Sequence, residues 1–300
     1  MDAAVKRILA VLLFLTLAAC APSPTPPPAP VEVSSPAPSA VSALTAEQVR
    51  NASVSLSTLT GDTPITYQLL NGTYNLPNGN GSINLLDPLA LGDLDHDGAG
   101  DAAALIAENY GGSGTFVSLI AFRNENGQPV QVAITPIDDR PQITSLRFDA
   151  GQVALEATVH SFEDPMCCPT LQTKRHYALF GSSLILRDFS TLAADGRWRE
   201  IQITSPQDGE GMSSVQIQGT VTISPFENSL VYHVFDAAGN ELAVGPVAVT
   251  AAELGALGTF DAVIALNGIS SGSTVRIEIQ DVSAADGSLL AMDSVILTVK

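Results

Sequence analysis

Four aspartates stand close together in the stretch LGDLDHDGAGDAAAL, which runs from Leu91 to Leu105. Carboxylates at the first, third and fifth positions of a tight turn converge on one point, and a glycine at the sixth position permits that turn. Because a set of oxygen ligands suits a hard cation, calcium is the first candidate for such a site. The predicted ligands are the carboxylates of Asp93, Asp95, Asp97 and Asp101 and the backbone carbonyl of Ala99.

The loop is not an EF-hand, because its twelfth position is Ala104, where an EF-hand has a bidentate glutamate. It resembles the shorter calcium loops between strands of integrin-type and dockerin-like modules. If calcium binds, we expect it to have a structural rather than a catalytic role. Without a cation, the clustered carboxylates would repel one another. The other interpretation is a solvated acidic turn. We expect His96, at the fourth position, to point outward.

The N-terminus is predicted to be an export signal, residues 1–20, and not part of the fold. Lys6 and Arg7 form a short basic region, and the apolar run from Ile8 to Leu17 is too short to span a bilayer. The small residues before Cys20 resemble the lipobox of bacterial lipoproteins. This implies cleavage before Cys20 and a lipid such as palmitate on its sulfur and its new amino group. The alternative is an ordinary secretory signal with a chance cysteine.

Residues 21–43 are predicted to be a linker, because proline, alanine and serine dominate them. Proline fixes φ and donates no backbone hydrogen bond, so the segment favours an extended polyproline II conformation and cannot build a core. At about 3.1 Å per residue, it could hold a folded part roughly 70 Å from the membrane. Together with the lipobox, it predicts a lipid-anchored protein on the extracytoplasmic face of the cell membrane.

The charge of the chain argues against a nucleic-acid partner. The sequence has 13 basic and 31 acidic residues and a formal net charge of −18. Such a charge favours solubility and opposes binding to DNA, RNA or anionic lipid headgroups. The sequence also lacks a Lys/Arg cluster with interleaved aromatic residues.

Cys167 and Cys168 are adjacent, and Cys20 is not free to pair with them if it carries a lipid. Adjacent Cα atoms lie about 3.8 Å apart, below the ~4.4–6.8 Å of relaxed disulfides, so a vicinal disulfide would close a strained ring. A redox-sensitive switch and a soft-metal site are the functional interpretations. We favour a rigid turn between Pro165 and Pro169, with the vicinal disulfide as a possible bond.

No motif assigns a catalytic residue, and the protein is expected not to be an enzyme. The stretch NYGGSGTF lacks the final glycine of a serine elbow and the Gly-Lys-Ser/Thr ending of a P-loop, so it is interpreted as a hairpin turn. The sequence has no His-Glu-x-x-His zinc motif. His160, His176 and His233 fall in predicted strands, where cross-strand pairs or capped side chains are expected.

Residues 44–194 are predicted to form an α+β domain of antiparallel sheet with a small helix. Thr45 and Gln48 have the spacing of a capping box, which predicts a helix from Ala46 to about Asn51. The pattern then changes to short strands separated by turn residues. The predicted strands are Ile65–Leu70, Ser82–Leu85, Ala102–Ala107, Thr115–Arg123, Val130–Ile134, Gln142–Phe148, Val153–Phe162, Thr173–Phe180 and Ser183–Phe189.

Residues 200–300 are predicted to form a β-sandwich, because short strands recur there between Gly, Asp and Pro turns. The chain is therefore expected to be mainly β, with a boundary between its two domains near residues 195–201. The predicted strands of the second domain are Ser214–Ile223, Ser229–Asp236, Leu242–Thr250, Gly258–Ala265, Thr274–Asp281 and Ser294–Val299.

Several turn motifs of the second domain make a more specific pattern: Ile203–Pro206, Val215–Gly219, Phe226-Glu227, Asp236–Gly239, Gly258–Phe260 and Val282–Ser288. They resemble the immunoglobulin-like domain of bacterial spore germination proteins. Thr220 departs from that family, which usually has alanine after the glycine. The resemblance implies an immunoglobulin-like sandwich that acts as an interaction or accessory module on envelope proteins.

The first domain carries the motifs LTAEQVRNA, the aspartate loop, GGSGTF and the Asp-Pro-x-Cys-Cys-Pro element at Asp164 to Pro169. From Leu44 to Leu186 it resembles an uncharacterised domain of bacterial lipoproteins. That resemblance brings no known activity with it.

The expected function is binding or scaffolding in the bacterial cell envelope by a membrane-anchored, extracytoplasmic lipoprotein. Its expected partners are the membrane, through the lipid on Cys20, and an envelope protein or a cell-wall glycan. The alternatives are an envelope hydrolase with a site in the N-terminal domain, and an accessory inhibitor or chaperone of another envelope enzyme. A deep polar cleft with a histidine and a carboxylate in contact would favour an enzyme, whereas a flat or apolar patch would favour binding.

Overall fold

The computed structural model describes residues 42–57, 61 and 63–300. The predicted signal peptide with Cys20, and the linker up to residue 41, lie outside the described residues. Among the described residues, every helix is too short or too polar to span a bilayer.

A short α-helix, α1, spans Ala46–Arg50 and starts with the capping box that the sequence predicts. The Thr45 hydroxyl oxygen accepts a hydrogen bond from the Gln48 backbone N–H at 3.2 Å, and the Gln48 side-chain oxygen accepts one from the Thr45 backbone N–H at 2.8 Å. These bonds satisfy backbone N–H groups that the start of a helix leaves open. Asn51 follows as the C-cap.

Most of the other described elements are β-strands, with short 3₁₀ turns at Pro77–Gly79 and Phe226–Asn228. The strands of the N-terminal half are β1 (Ser53–Leu56), β2 (Ile65–Gln68), β3 (Thr73–Asn75), β4 (Ser82–Gly92), β5 (Asp101–Asn109), β6 (Phe116–Glu125), β7 (Gln128–Asp139), β8 (Gln142–Asp149), β9 (Gln152–Val159), β10 (Leu171–Phe180), β11 (Ser183–Leu192) and β12 (Trp198–Arg199). Those of the C-terminal half are β13 (Ile201–Ser205), β14 (Gly211–Met212), β15 (Ser214–Val221), β16 (Ser229–Asp236), β17 (Glu241–Ala251), β18 (Gly258–Ala265), β19 (Thr274–Val282) and β20 (Leu289–Val299).

The central sheet of the N-terminal half is antiparallel and has the strand order β3–β4–β5–β6–β7. Every residue of its middle strand, β5, is buried except Asn109. One face, with Ile106 and Phe122, packs in a core with α1, β1 and β2; the other, with Leu105 and Leu119, packs against β8 to β11. A strand covered on both faces needs small or apolar residues throughout, which explains the run AAALIA after Asp101.

A second sheet begins with β8–β9–β10–β11, the layer that covers the central sheet, and continues into the C-terminal half. There the strands follow the order β13–β15–β18–β17–β16–β19–β20 and surround an apolar core that includes Ile217, Leu230, Val247 and Ile277. The mainly β class and the antiparallel sheets predicted from the sequence are confirmed.

The two halves of the chain meet where β11 pairs with β20. This antiparallel pairing places Asp188 directly opposite Asp293. Beside it, the buried Arg187 donates a hydrogen bond from Nε to Ser294 Oγ at 2.9 Å and pairs through Nη2 with Asp208, also at 2.9 Å. We call this region, from the pairing of β11 with β20 to the charged side chains around it, the junction. It makes one continuous sheet out of strands from both halves.

Candidate functional site

The aspartate loop connects β4 to β5 at one end of the central sheet. Carboxylate oxygens of Asp93, Asp95 and Asp101 all lie within 4.8 Å of one another. Asp97 is outside that group, and its Oδ1 accepts a hydrogen bond from the Ala99 backbone N–H at 2.7 Å. The fold therefore brings together three of the four predicted carboxylates and uses the fourth to shape the turn.

Asp101 is buried and ties two parts of the backbone together. Its Oδ2 accepts a hydrogen bond from the Leu94 N–H at 2.9 Å, and its Oδ1 accepts one from the Asn124 N–H at 2.7 Å. The Asn124 side chain extends the network by donating to the carbonyl oxygens of Gly100 at 3.1 Å and Ser42 at 2.8 Å. Burial raises the pKa of Asp101, although the two backbone donors act against that shift. Asp101 thus fixes the loop to β6 and to the start of the described chain.

The remaining aspartates of the group face different partners. Asp95 Oδ2 accepts a hydrogen bond from Arg123 Nε at 2.6 Å, so a guanidinium supplies one positive charge to the cluster. Asp93 Oδ2 accepts a hydrogen bond from the Gly98 N–H at 3.0 Å. Its Oδ1 is buried and has no hydrogen-bond partner among the described residues. His96 is exposed.

This donor set fits a hard cation in part. The buried Asp93 Oδ1 is an acceptor that lacks a donor among the described residues, and such an atom costs free energy unless something neutralises it. A carboxylate oxygen that accepts one hydrogen bond keeps a second lone pair, so Asp101 and Asp95 can still face an ion. Arg123 is the competing cation, because it already contacts Asp95.

The cysteine pair lies in the loop between β9 and β10, and its sulfur atoms are bonded to each other. The two Cα atoms are 3.8 Å apart, and both residues are exposed. Below them, the Asp164 carboxylate accepts hydrogen bonds from the Ser161 N–H at 2.9 Å and the Thr170 N–H at 2.7 Å. These donors lower the pKa of Asp164 to about 2, the Ser161 bond most of all. We call residues 161–170 the cysteine tip.

A polar cluster at the junction is absent from the sequence-based predictions. His176 Nδ1 lies 3.2 Å from Asp188 Oδ1, and that hydrogen bond raises the pKa of His176. Asp293, on the other side of Asp188, accepts backbone hydrogen bonds from Ile203 at 2.6 Å and Ser294 at 2.7 Å. Burial nevertheless raises the pKa of Asp293 to about 6.

An open groove of about 510 Å³ runs along this cluster, and charged side chains line most of it. Arg147 pairs with Glu156 at 3.1 Å, and Lys174 pairs with Glu200 at 3.4 Å. The signal that could have revealed the groove is the presence of charged residues inside predicted strands. Their spacing along the chain does not show which of them become neighbours, because strand pairing decides that.

The strands of the C-terminal half form the sandwich that their turn motifs predict. Residues 200–288 match the family model of the immunoglobulin-like domain of bacterial spore germination. The C-terminal resemblance is thus confirmed, whereas the N-terminal resemblance to a lipoprotein domain stays a prediction. The match ends just before β20, the strand that pairs with the N-terminal half. No curated protein matches the chain.

The immunoglobulin-like domain exposes large apolar side chains on two neighbouring loops. Phe226 is 65 % exposed, Leu254 65 % and Leu257 68 %. Hydrogen bonds hold the loops together: the Gly255 N–H donates to Ser224 Oγ at 2.7 Å, and the Ser224 N–H donates to a carbonyl of the other loop, also at 2.7 Å. We call Phe226, Leu254 and Leu257 the apolar end of this domain.

Three histidine–carboxylate contacts occur among the described residues, at His160, His176 and His233. A hydrolase of the serine type needs a hydroxyl within hydrogen-bond reach of the histidine. In the described part of the chain, no histidine ring nitrogen is hydrogen-bonded to a serine or threonine hydroxyl. Each contact links the histidine to a carboxylate of another strand.

Proposed function

We propose that this protein is a lipid-anchored, extracytoplasmic binding or scaffolding protein of the bacterial cell envelope, with the immunoglobulin-like domain as its interaction module. The apolar end of that domain is the observation that carries the proposal. Single exposed apolar residues are common on protein surfaces, but Phe226, Leu254 and Leu257 lie on two loops that are hydrogen-bonded together. A partner that covers them gains the free energy of removing this surface from water.

Another envelope protein is the partner that suits this surface. An open groove of about 450 Å³ lies beside Phe226, with Ala284 and Leu290 among its lining residues. The ion pair between Arg199 and Asp281, at 2.7 Å, also lines the groove. Apolar walls with few polar anchors are typical of the centre of a protein interface. A cell-wall glycan would call for more hydrogen-bonding groups.

The anchoring half of the proposal rests on the lipobox before Cys20 and on the proline-rich linker that follows. Cys20→Ala should move the protein from the membrane fraction to the soluble fraction, because no lipid can then be attached. The measurement is fractionation of cells that express either chain, followed by immunoblotting. Sedimentation of the variant with membranes would contradict lipid anchoring.

The binding half can be tested with a charge placed on the apolar end. Leu254→Asp combined with Leu257→Asp should abolish cross-linking of the mature chain to its envelope partner in intact cells, because each aspartate would have to be desolvated in the contact. Val263→Asp is the matched control, since Val263 is 72 % exposed on β18 and lies outside the apolar end. Equal cross-linking of both variants and the wild type would overturn this use of the surface.

We also propose that the aspartate loop binds calcium as a structural ion through Asp93, Asp95 and Asp101. The supporting observation is the buried Asp93 Oδ1, which has no donor among the described residues. A calcium ion there would cancel clustered negative charge and hold the loop against the start of β5. Asp97, predicted as a further ligand, could join only after a rearrangement of the turn, because its carboxylate lies outside the group of three. The Ala99 carbonyl remains a predicted ligand.

Thermal unfolding of the mature chain in chelator and in millimolar calcium tests this ion. With an affinity on the order of 10⁻⁴–10⁻³ M, saturating calcium should stabilise the protein by about 1–2 kcal/mol. Asp93→Asn should remove the calcium effect, whereas Asp261→Asn, a change on the distant strand β18, should leave it intact. Identical melting with and without calcium, and no heat of binding, would leave the interpretation of a solvated acidic turn.

A further inference from the structure

We propose that the cysteine tip, once its disulfide is reduced, binds a soft monovalent cation of the copper(I) class through the sulfur atoms of Met166, Cys167 and Cys168. Formation of the disulfide would close this site. The inference is independent of the anchoring and of the apolar end proposed above.

Three consecutive sulfur-bearing residues stand exposed at this tip. Cys167 and Cys168 are exposed, and Met166 is 66 % exposed. Methionine and cysteine side chains are usually buried, so a run of these residues in water gains nothing from packing. Soft thiolate and thioether ligands select copper(I) among the common metal ions, so these three exposed residues could serve as copper(I) ligands.

The base of the tip is fixed by contacts that do not involve sulfur. The Asp164 carboxylate holds the backbone N–H groups of Ser161 and Thr170 and also accepts the Thr170 hydroxyl at 2.8 Å. The Cys168 N–H donates to the Pro165 carbonyl at 2.9 Å, which closes a turn across the tip. Pro169, next in the chain, is buried. Reduction would therefore free the two thiols while the backbone that presents them stays in place.

Reduction of the Cys167–Cys168 disulfide, which opens the site, requires a dithiol reductant. A dithiol protein of the thioredoxin-like class gives two electrons and two protons to the Cys167–Cys168 bond and becomes a disulfide itself. Copper(I) then replaces the two thiol protons, which pass to solvent, and forms bonds to the thiolates. In an oxidising compartment the disulfide is the resting state, so the site would open only when such a reductant is present.

Zinc and calcium fit the tip less well. Tetrahedral zinc needs four nitrogen, sulfur or oxygen ligands, and calcium needs at least six oxygens. Among the described residues, the aspartate loop is the place where three His, Cys, Asp or Glu side chains come close enough to hold one ion, and the tip has no such group. Copper(I) accepts fewer ligands than either ion, so two thiolates with one thioether can complete its shell.

The test is a titration of the full mature chain with copper(I) held by a chromophoric chelator, after reduction by a phosphine and again after reoxidation. The reduced chain should bind one equivalent, and reoxidation should weaken binding by at least about 100-fold because a disulfide provides no thiolate. Cys167→Ser should abolish competition with the chelator. Met166→Leu should weaken it by about 10-fold, the size of one lost ligand bond.

Met212→Leu is the matched control, because Met212 lies in β14 and contributes to the sandwich core. Thermal unfolding of each variant will show that the fold is kept, which is expected for Met166→Leu and Cys167→Ser because both residues lie on an exposed loop. Equal copper(I) affinity of the oxidised and reduced chains would overturn the proposal. So would full binding by Cys167→Ser, or displacement of copper(I) by an equimolar amount of zinc.

Discussion

Two regions of this molecule gather carboxylates, and they do so in opposite ways. In the aspartate loop, four aspartates within residues 93–101 supply the charges, and backbone N–H groups and Arg123 form hydrogen bonds with most of these carboxylates. At the junction, Asp188 and Asp293 come from strands far apart in the sequence and face each other because β11 pairs with β20. The loop is an acidic turn that the chain builds by itself, whereas the junction is acidic only in the folded protein.

The difference has an energetic consequence. In the loop, Asp101 uses its charge to hold backbone N–H groups, so removing the carboxylate should remove structure. At the junction, like charges stand directly opposite each other, an arrangement that destabilises a pair of strands. The positive charge of Arg187, the neighbour of Asp188 in the chain, offsets part of this repulsion, because it acts to lower the pKa of Asp293. The carboxylate of Asp101 therefore stabilises the aspartate loop, whereas the paired carboxylates destabilise the junction.

The largest effect should come from Asp101→Ala in the loop. The substitution leaves the buried N–H groups of Leu94 and Asn124 without their acceptor, and each unsatisfied group costs about 1–3 kcal/mol. We expect the free energy of unfolding to fall by about 3 kcal/mol. Urea denaturation of the protein measures it.

Asp97→Ala is the control for this loss. Asp97 is exposed, and among the described residues its carboxylate accepts a hydrogen bond only from the nearby Ala99 N–H, so its removal should cost less than about 1 kcal/mol. If both variants lost the same stability, burial would not be what separates these two carboxylates. The contrast between a loop that its carboxylates stabilise and a junction that its carboxylates destabilise would then be wrong.

The next effect is a pH dependence that comes from the junction. Burial raises the pKa of Asp293 from 3.8 to about 6, so the folded protein holds a proton there that the unfolded chain has released. The stability gained from that proton is fully present below pH 4 and is lost as the pH rises through 6. The raised pKa of His176 acts in the same direction from about pH 6.5 upward. The charged neighbours that take part are Asp188, Arg187, Asp149 and Arg147.

Asp293→Asn should remove the part of this loss that lies between pH 4 and 6, on the order of 2 kcal/mol. Urea unfolding at half-unit pH steps measures it. Asp261→Asn is the control: side-chain hydrogen bonds from Gln216 and Gln218 lower the pKa of Asp261, so its stability contribution is lost as the pH falls. An unchanged slope in Asp293→Asn would show that the junction carboxylates do not burden the fold.

The sequence predicts local features well and long-range ones poorly. The capping box at Thr45, the hairpin strands and the turns between them depend on neighbouring residues, and they lie close to where the patterns place them. The C-terminal sandwich follows from the same regular spacing and from the motifs of its family.

The features that sequence reasoning missed depend on distant partners. β1 and β3 are short strands that a neighbouring strand completes, and β13 pairs with β15 along the edge of the sandwich. β20 begins at Leu289, ahead of the predicted Ser294, because Leu289 pairs with Val282 of β19 and Ala291 to Asp293 pair with both β19 and β11. The junction follows from that pairing, so the spacing of its aspartates along the chain could not reveal it. In the loop, spacing brought the carboxylates together but could not show that Arg123 would contact Asp95.

The smallest effect tests the loop through that arginine. Arg123→Gln removes the cation that contacts Asp95 at 2.6 Å and keeps a polar side chain of moderate length. In chelator, the loss of this partly exposed ion pair should cost about 1 kcal/mol or less. With calcium, the variant should be more stable than the wild type, because the ion no longer competes with a guanidinium for Asp95. We expect calcium affinity to rise by about 10-fold, which corresponds to the change in binding free energy that one nearby positive charge causes in a partly solvated site.

Calorimetric titration of both chains with calcium, together with melting in chelator, separates the two outcomes. Arg147→Gln is the matched control: Arg147 pairs with Glu156 at 3.1 Å on the other sheet, so its removal should leave calcium binding unchanged. If Arg123→Gln lowers stability equally with and without calcium, the guanidinium alone neutralises the loop and no metal is needed there. If calcium more than restores the lost stability, then the loop exchanges one cation for another. In that case the acidic residues of the loop are ligands and do not only form a turn. The carboxylates of the junction, which destabilise the fold, should show no such response to calcium.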